Sequence, residues 1–303
     1  MCGIVGLYLK NPALDDRLGE LFVPMLVEMT DRGPDSAGLA VYHEAVSGGR
    51  SKITAFHADP GFDWQALAGR VQERLGGTVA PRPNETHCVI ETDLDPEAVT
   101  QAIEADWPDV QIMSVGEVIE IYKEVGLPAD VARRFRVSGM KGSHIVGHTR
   151  MATESAVLTA GSHPFSTGRD LCLVHNGSLS NHNNLRAYLR DHRGVRFRTD
   201  NDTEVGAAYI ATRLAEGRSL HDALEDCIEA LDGFYTFVAG TRDGFAVLRD
   251  PIACKPAVLA ETDDYVAFGS EYRALARLPG IGEAQVWEPE PATVYSWGAR
   301  DAA

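Results

Sequence analysis

The segment Cys2-Gly3-Ile4-Val5-Gly6-Leu7-Tyr8-Leu9 decides how this chain folds, because it predicts a buried strand that begins beside a cysteine. Cys2 directly follows Met1, so removal of that methionine would give it a thiol and a free α-amine on one residue. Such an amine has a reference pKa of about 7.7–8.0 and can accept the thiol proton, directly or through a water molecule. Cys2 is therefore a candidate N-terminal nucleophile; the alternative is a buried structural thiol.

Beyond this strand, periodic patterns predict an α+β fold with mostly antiparallel sheets. Apolar residues at helical spacing predict helices, and short apolar runs bounded by turn residues predict strands and hairpins. The predicted helices are 18–29, one that starts at Asp95-Pro96, one lined by Val118, Ile121, Tyr122 and Val125, and others near 181–192, 202–216 and 219–231. The predicted strands are 87–92, 110–115, 144–148 and 171–175, with hairpins at 38–57, 234–249 and 256–269.

A Pro-rich stretch, 80–84, marks a change of pattern along the chain. Beyond it, strands alternate with helices until about residue 138, after which the first style resumes. We therefore expect a host domain formed by residues 1–79 and 139–303, and a small α/β insertion at 80–138 that could dock a partner.

Composition excludes several classes of function. The 303 residues are 44% hydrophobic and carry a formal charge of −16, which argues against nucleic acid or anionic lipid as a partner. No apolar run reaches the length of a membrane span, and the sequence has neither GxxxxGK nor GxGxxG, so no nucleotide site is expected. The scattered cysteines include no CxxC, which favours a cytoplasmic, reducing location and predicts neither disulfides nor a metal site. They are Cys2, Cys88, Cys172, Cys227 and Cys254.

A series of short motifs resembles the class II glutamine amidotransferases, which are N-terminal-nucleophile hydrolases, and the motifs occur in the order typical of that family. The resemblance implies an αββα sandwich of two mostly antiparallel sheets. The motifs are Cys2-Gly3-Ile4-Val5-Gly6, Arg32-Gly33-Pro34-Asp35-Ser36-Ala37-Gly38, Gly147-His148-Thr149-Arg150-Met151-Ala152-Thr153, Gly161-Ser162-His163-Pro164-Phe165, His175-Asn176-Gly177, Asp200-Asn201-Asp202-Thr203-Glu204 and Gly269-Ser270-Glu271.

The resemblance implies a catalytic role for three residues. Cys2 would attack the side-chain amide of glutamine and form a γ-glutamyl thioester, releasing ammonia. Asn176, through its side-chain N–H, and Gly177, through its backbone N–H, would stabilise the oxyanion of the tetrahedral intermediate. Taken alone, Asn176-Gly177 is more typical of a turn.

Three further residues would hold the amino-acid end of glutamine. The resemblance implies that Arg150 and Thr153 bind the α-carboxylate and that Asp202 binds the α-ammonium group. The alternative for Asp202 is a helix N-cap. Met151 stands where many members carry an aromatic residue, and Glu154 where sugar-specific members carry histidine. Glutamine affinity therefore depends on two departures from the family pattern.

The length of the chain leaves no room for an acceptor domain, so we expect ammonia to be used on a separate polypeptide. The chain most resembles the amidotransferase-like subunit of glutamate-synthase-like complexes, of the N-methyl-L-glutamate synthase type, which makes N-methylglutamate from methylamine and glutamate. This implies a hetero-oligomer with flavin on a partner subunit and no cofactor in this chain. The alternatives are a non-catalytic scaffold subunit and a stand-alone γ-glutamyl amide hydrolase.

We expect His148 and His163 to be structural.

Overall fold

The computed structural model describes residues 2–151 and 157–298, and both ranges contain strands and helices. The strands are β1 (Gly3–Leu9), β2 (Ser36–Tyr42), β3 (Ser51–Phe56), β4 (Val79–Asn84), β5 (His87–Thr92), β6 (Gln111–Gly116), β7 (Ile119–Val125), β8 (His144–Arg150), β9 (Cys172–Leu179), β10 (Gly233–Thr241), β11 (Gly244–Arg249), β12 (Val258–Glu261), β13 (Tyr265–Gly269), β14 (Gln285–Trp287) and β15 (Thr293–Gly298). The helices are α1 (Leu18–Glu28), α2 (Trp64–Leu75), α3 (Pro96–Asp106), α4 (Pro128–Arg134), α5 (His182–Arg193), α6 (Asp202–Ala215) and α7 (Leu220–Ala230). None of the helices in these ranges combines the length and apolar character needed to cross a bilayer.

Two antiparallel sheets face each other at the centre of the molecule. The large sheet has the strand order β14-β12-β13-β1-β8-β2-β7, and the second sheet has the order β15-β11-β10-β9. Strand β1 lies inside the large sheet, between β13 and β8. Its side chains alternate: Ile4 and Tyr8 enter the core between the sheets, whereas Val5, Leu7 and Leu9 pack toward α1. Burial on both faces explains why this strand is a continuous apolar run.

Helices cover the outer faces of both sheets. α1 and α4 pack on the large sheet, and α6 and α7 pack on β9, β10 and β11 of the second sheet. The four layers therefore run helix, sheet, sheet, helix, which confirms the predicted αββα sandwich. The predicted helix at 219–231 forms as α7, with the Ser219 hydroxyl accepting from the Asp222 amide at 3.1 Å.

A third sheet, the small sheet, has the strand order β4-β5-β3-β6 and carries α2 and α3. A buried ion network joins it to the large sheet. The Glu120 carboxylate on β7 lies 3.2 Å from the Lys52 ammonium on β3 and 2.6 Å from the Arg82 guanidinium on β4, and it accepts from the Tyr122 hydroxyl at 2.7 Å. Burial alone would raise the pKa of this carboxyl, but His43, Lys52 and Arg82 hold it well below its usual range.

Two predicted elements are wrong. The hairpin at 38–57 does not form, because β2 lies in the large sheet and β3 in the small sheet. The helix expected at 118–125 is instead strand β7, whose Ile119 and Ile121 enter the core between the sheets while Tyr122 packs on the opposite face. In β7 alternate residues are buried on opposite faces of the sheet, but its apolar residues also fit the spacing of a helix. The sequence pattern alone therefore did not distinguish the two.

The strand order also bears on the expected insertion. The small sheet takes its strands from 51–116, since β3 lies between β5 and β6, whereas β7 pairs with β2 in the large sheet. The division of the chain at residues 80 and 138 stays a prediction.

Candidate active site

Cys2 lies at the start of β1, at the end of the large sheet where β8 finishes. Its Sγ atom is 3.9 Å from the carbonyl oxygen of Met151, and the next residue, Gly3, pairs with Thr149. A Cβ on Gly3 would lie 2.8 Å from both Met29 Cβ and Thr149 Oγ1. Only glycine therefore lets the strand start this close to α1 and β8, and this close packing sets the position of Cys2.

A buried arginine holds the main chain of Cys2. The Arg32 Nε–H donates to the Cys2 carbonyl oxygen at 2.9 Å, while Nη1 forms an ion pair of 2.6 Å with Glu271 Oε1. The hydrogen bond from Arg32 lowers the pKa of the Glu271 carboxyl. Because the guanidinium is planar and charged, its two contacts fix the Cys2 carbonyl relative to β13.

Asn176 comes from the opposite sheet and contacts the same carbonyl. Its Nδ2 group donates to the Cys2 carbonyl oxygen and to Ser270 Oγ, both at 3.2 Å. Ser270 Oγ also accepts from the Ile4 amide at 2.9 Å. The structure thus brings Cys2, directly before β1, and Asn176 on β9 into direct contact across the two sheets.

Gly177 follows Asn176 on β9 and has a conformation that other residues avoid. Its φ is +141°, and a Cβ at this position would lie 1.9 Å from the Phe234 carbonyl oxygen. The residue is exposed, unlike the buried Asn176 before it. The turn alternative for Asn176-Gly177 does not hold, because both residues lie inside β9 and pair with Thr236 and Tyr235.

Arg150 is the last residue of β8 and pairs with Ser36. The turn before β2, which contains Gly33, packs directly on the main chain at the end of β8. A Cβ on Gly33 would lie 2.4 Å from the carbonyl carbon of Thr149. A Cβ on Gly161 would lie 3.4 Å from Arg150 Nη1, so the guanidinium lies against that glycine. Thr153 and Glu154 lie outside the described residues.

Asp202 is the first residue of α6, on the second-sheet side of the site. The N-cap is its neighbour Asn201, whose Oδ1 accepts from the Thr203 amide at 2.8 Å. Asp202 Oδ2 accepts from the Leu179 amide at 2.9 Å, and Oδ1 lies 3.8 Å from His175 Nδ1. The Asp202 carboxylate is therefore tied to β9 on either side of Asn176-Gly177, and it is partly exposed.

Behind these residues lies a buried group of three imidazoles, from His148, His163 and His175. Burial lowers the pKa of His148 to about 3 and that of His175 to about 4, and it lowers the pKa of His163 well below its usual range. His163 Nδ1 accepts from the His175 amide at 3.3 Å, so the proton of this neutral ring is on Nε2, which is 3.2 Å from Thr203 Oγ1. Thr203 Oγ1 can in turn donate to His175 Nδ1 at 3.0 Å.

Sequence reasoning missed the residues that hold the site in place. Arg32, Ser270 and Glu271 occur in the quoted motifs, but no local pattern shows that they meet at the Cys2 carbonyl. Thr203 was quoted only as part of a motif, and its contacts with two histidines depend on the packing of α6 against β9. The signal that could have found them is their place in the quoted motifs, next to or near the glycines that let main chains approach closely.

The geometry defines what the site can do chemically. The Cys2 main chain accepts a side-chain amide N–H from the opposite sheet, its thiol lies near the Met151 carbonyl directly after Arg150, and the Asp202 carboxylate contacts β9 on both sides of Asn176-Gly177. This combination suits attack on a carbonyl carbon, stabilisation of the resulting oxyanion, and binding of a substrate that carries both charges.

The chain is similar to known proteins over its whole length. Residues 148–277 match a family model described as a glutamine amidotransferase domain. The glutamine amidotransferase-like protein GlxB of Rhizobium meliloti (strain 1021) is 57% identical over 307 residues, covering 100% of both chains. Amidophosphoribosyltransferase 1, chloroplastic, of Arabidopsis thaliana is 30% identical over 62% of this chain and 33% of its own length.

A solved structure shares the fold. The structure of the allosteric regulatory enzyme of purine biosynthesis aligns over 98% of this chain with a TM-score of 0.63 and 20% identity. This chain covers 47% of that one, so it spans about half of its length. The full-length relative, the family model and the shared fold agree: the chain belongs to the class II glutamine amidotransferases, enzymes with the N-terminal-nucleophile hydrolase fold that hydrolyse glutamine.

Proposed function

We propose that this chain hydrolyses the side-chain amide of glutamine with Cys2 as nucleophile. The observation that supports this best is the hydrogen bond of 3.2 Å between Asn176 Nδ2 and the Cys2 carbonyl, which joins an oxyanion donor to the nucleophile. Removal of Met1 would free the Cys2 α-amine as the base. The thiol proton passes to this amine as sulfur bonds to the amide carbon; the C–N bond then breaks, and ammonia leaves with that proton. Water next attacks the thioester and yields glutamate.

The oxyanion needs donors that are already aimed at it. Both N–H groups of Asn176 are engaged, with Cys2 and Ser270, so the oxyanion takes the place of one of these acceptors. The Gly177 backbone N–H supplies the second donor in this proposal. Loss of one such donor commonly lowers the rate about 10²–10³-fold.

Selection of free glutamine requires its charged end to be bound. In this proposal Arg150 and Thr153 bind the α-carboxylate, and Asp202 binds the α-ammonium group. Asp202 Oδ2 accepts from the Leu179 amide at 2.9 Å, whereas the contacts of Oδ1 are longer, 3.4 Å to Thr203 Oγ1 and 3.8 Å to His175 Nδ1, so Oδ1 is the atom proposed to accept from the ligand. A protein-bound glutamine lacks both charges and would lose these contacts.

We further propose that the ammonia goes to a separate glutamate-synthase-like subunit that carries flavin, as in an N-methylglutamate synthase complex acting on methylamine and glutamate. The motif resemblance supports this step. The segment 80–138 is the proposed docking element.

One feature favours a second candidate, a scaffold subunit without activity. Met151 is exposed beside the Cys2 thiol, where many family members carry an aromatic residue. The third candidate, a stand-alone hydrolase, predicts a purified chain that is as active alone as in lysate.

Alkylation by 6-diazo-5-oxo-norleucine, a glutamine mimic, tests the nucleophile. Intact mass should show loss of Met1 and then one adduct on Cys2, and Cys2→Ala should abolish both the adduct and glutamine hydrolysis. Cys254→Ala is the matched control, because the Cys254 thiol is exposed whereas Cys88, Cys172 and Cys227 are buried. Hydrolysis retained by Cys2→Ala would refute the proposal. No adduct on a processed chain, even with partner subunits present, would favour the scaffold.

A further inference from the structure

Lys123 on β7 has a buried ammonium group that contacts the main chain of segment 157–165. Nζ donates to the carbonyl oxygens of Ser162 at 2.8 Å and of Ala160 and Pro164 at 3.3 Å. Its nitrogen also lies 4.6 Å from the centre of the Phe165 ring. Among the described residues, no carboxylate lies within ion-pair distance of this ammonium, so these carbonyls and the ring replace its hydration.

The next residue on β7 contacts the same segment from another direction. Glu124 Oε1 accepts from the Thr159 hydroxyl at 2.6 Å, and Oε2 accepts from the Thr86 hydroxyl at 3.0 Å. Thr86 belongs to the turn between β4 and β5, which is part of the small sheet. One carboxylate therefore links the small sheet to segment 157–165.

Segment 157–165 reaches the candidate site at two points. Gly161 lies against the Arg150 guanidinium, and the His163 ring accepts from the His175 amide, one residue before Asn176. A shift of this segment would therefore act most directly on the guanidinium proposed to bind the α-carboxylate, while its contact with β9 is with the residue before Asn176.

We propose that Lys123 and Glu124 are positioning residues for glutamine binding: they hold segment 157–165 against the large sheet, and through Glu124 the small sheet acts on the site. This rests on the proposed function. It gives the small sheet a role in the reaction besides docking, because Thr86 of the small sheet and Thr159 of the segment donate to the same Glu124 carboxylate.

The protonated form of Lys123 is the one that best holds segment 157–165 against the large sheet. Burial lowers the pKa of Lys123 to about 7, an effect that Glu204 on α6 opposes and Arg150 on β8 increases. His87 on β5 and His163 also face it, and Lys123 helps to keep both rings neutral. The ammonium form has three N–H donors for three carbonyls, whereas the amine has two. Segment 157–165 should therefore loosen as the pH rises from 6 to 8.

The test combines hydrogen–deuterium exchange of peptides from segment 157–165 with kcat and KM for glutamine. In Lys123→Met, Thr159→Val and Thr86→Val, exchange should be about 10-fold faster and KM about 5- to 10-fold higher, with kcat less affected. Thr159→Ser should restore both values. Arg82→Gln is the control, because Arg82 lies on the small sheet in the Glu120 network and does not contact the segment.

Unchanged exchange in Thr159→Val would overturn the proposal, and so would faster exchange with an unchanged KM. Equal changes in Arg82→Gln would indicate general destabilisation and would also refute it. If Lys123→Met does not fold, the Thr159→Val and Thr159→Ser pair still decides. Exchange needs no catalysis, so an inactive wild-type protein would refute the glutaminase proposal while the exchange comparison still tests the hold on the segment.

Discussion

Replacing Gly177 by alanine tests whether the β9 backbone itself is part of the site. The new Cβ would lie 1.9 Å from the Phe234 carbonyl oxygen, whereas an unstrained contact is about 3.5 Å, so the strands must separate by about 1.5 Å. A misplacement of about 1 Å can cost about 100-fold in rate, and a left-handed φ costs a non-glycine residue about 1–3 kcal/mol. We expect Gly177→Ala to lower kcat at least about 100-fold and the free energy of unfolding by about 1–3 kcal/mol.

Gly194→Ala provides the matched control. Gly194 also has a positive φ, +69°, but a Cβ there would meet no atom within 4 Å, and the residue ends α5. It should cost about 1 kcal/mol of stability and leave kcat unchanged. Glutamine hydrolysis and urea unfolding of both variants are the assays. If Gly177→Ala kept more than a tenth of the wild-type kcat, or if Gly194→Ala lost as much activity, the argument that close approach at Gly177 positions the donor would be wrong.

Three further substitutions test other contacts. Arg32→Met removes a charge-assisted hydrogen bond to the Cys2 carbonyl and should lower kcat/KM for glutamine about 10- to 100-fold in steady-state assays; an unchanged value would refute this role. Burial lowers the pKa of His87 to about 3, so the unfolded chain alone binds this proton between about pH 6.5 and 3, and stability falls as the pH falls through that range. In His87→Gln the free energy of unfolding should therefore change less with pH, by up to about 1.4 kcal/mol per pH unit, as measured by urea unfolding at pH 7 and 5. An equal change with pH in the variant and the wild type would count against this. Glu120→Gln leaves the Lys52 ammonium buried without its carboxylate and should cost about 3–5 kcal/mol in denaturant unfolding, and a loss below about 1 kcal/mol would show that the network is not stabilising.

The strands and helices that could be predicted are those whose apolar pattern admits one explanation. β1 is apolar throughout because both of its faces are buried, and α7 has a serine cap followed by one apolar face. β7 could not be predicted in this way, since its apolar residues fit a helical period and its buried charges look like a solvated face. Glu120 and Lys123 are buried only because groups distant in sequence solvate them, and local periodicity contains no information about such partners.

The candidate site shows the same division between local and long-range information. Cys2, Asn176 and Gly177 could be proposed from motifs, because a nucleophile and a glycine each need a particular residue type at one position. Arg32 and Ser270 act only after β1 and β13 pair and the sheets stack, when both meet groups of the β1 main chain. Their residue types allow many roles, and only the fold selects one.

Ser270 shows why the fold and the site depend on each other. Its hydroxyl accepts from the Ile4 amide within the large sheet and from the Asn176 side chain on the second sheet, and its own amide donates to the Ile4 carbonyl at 2.9 Å. The contacts that align β13 with β1 therefore also set how far Asn176, the proposed oxyanion donor, lies from the strand that follows Cys2. A packing change between the two sheets cannot leave this distance unaltered. The buried polar residues of this core belong to the proposed catalytic geometry as much as to the stability of the sandwich.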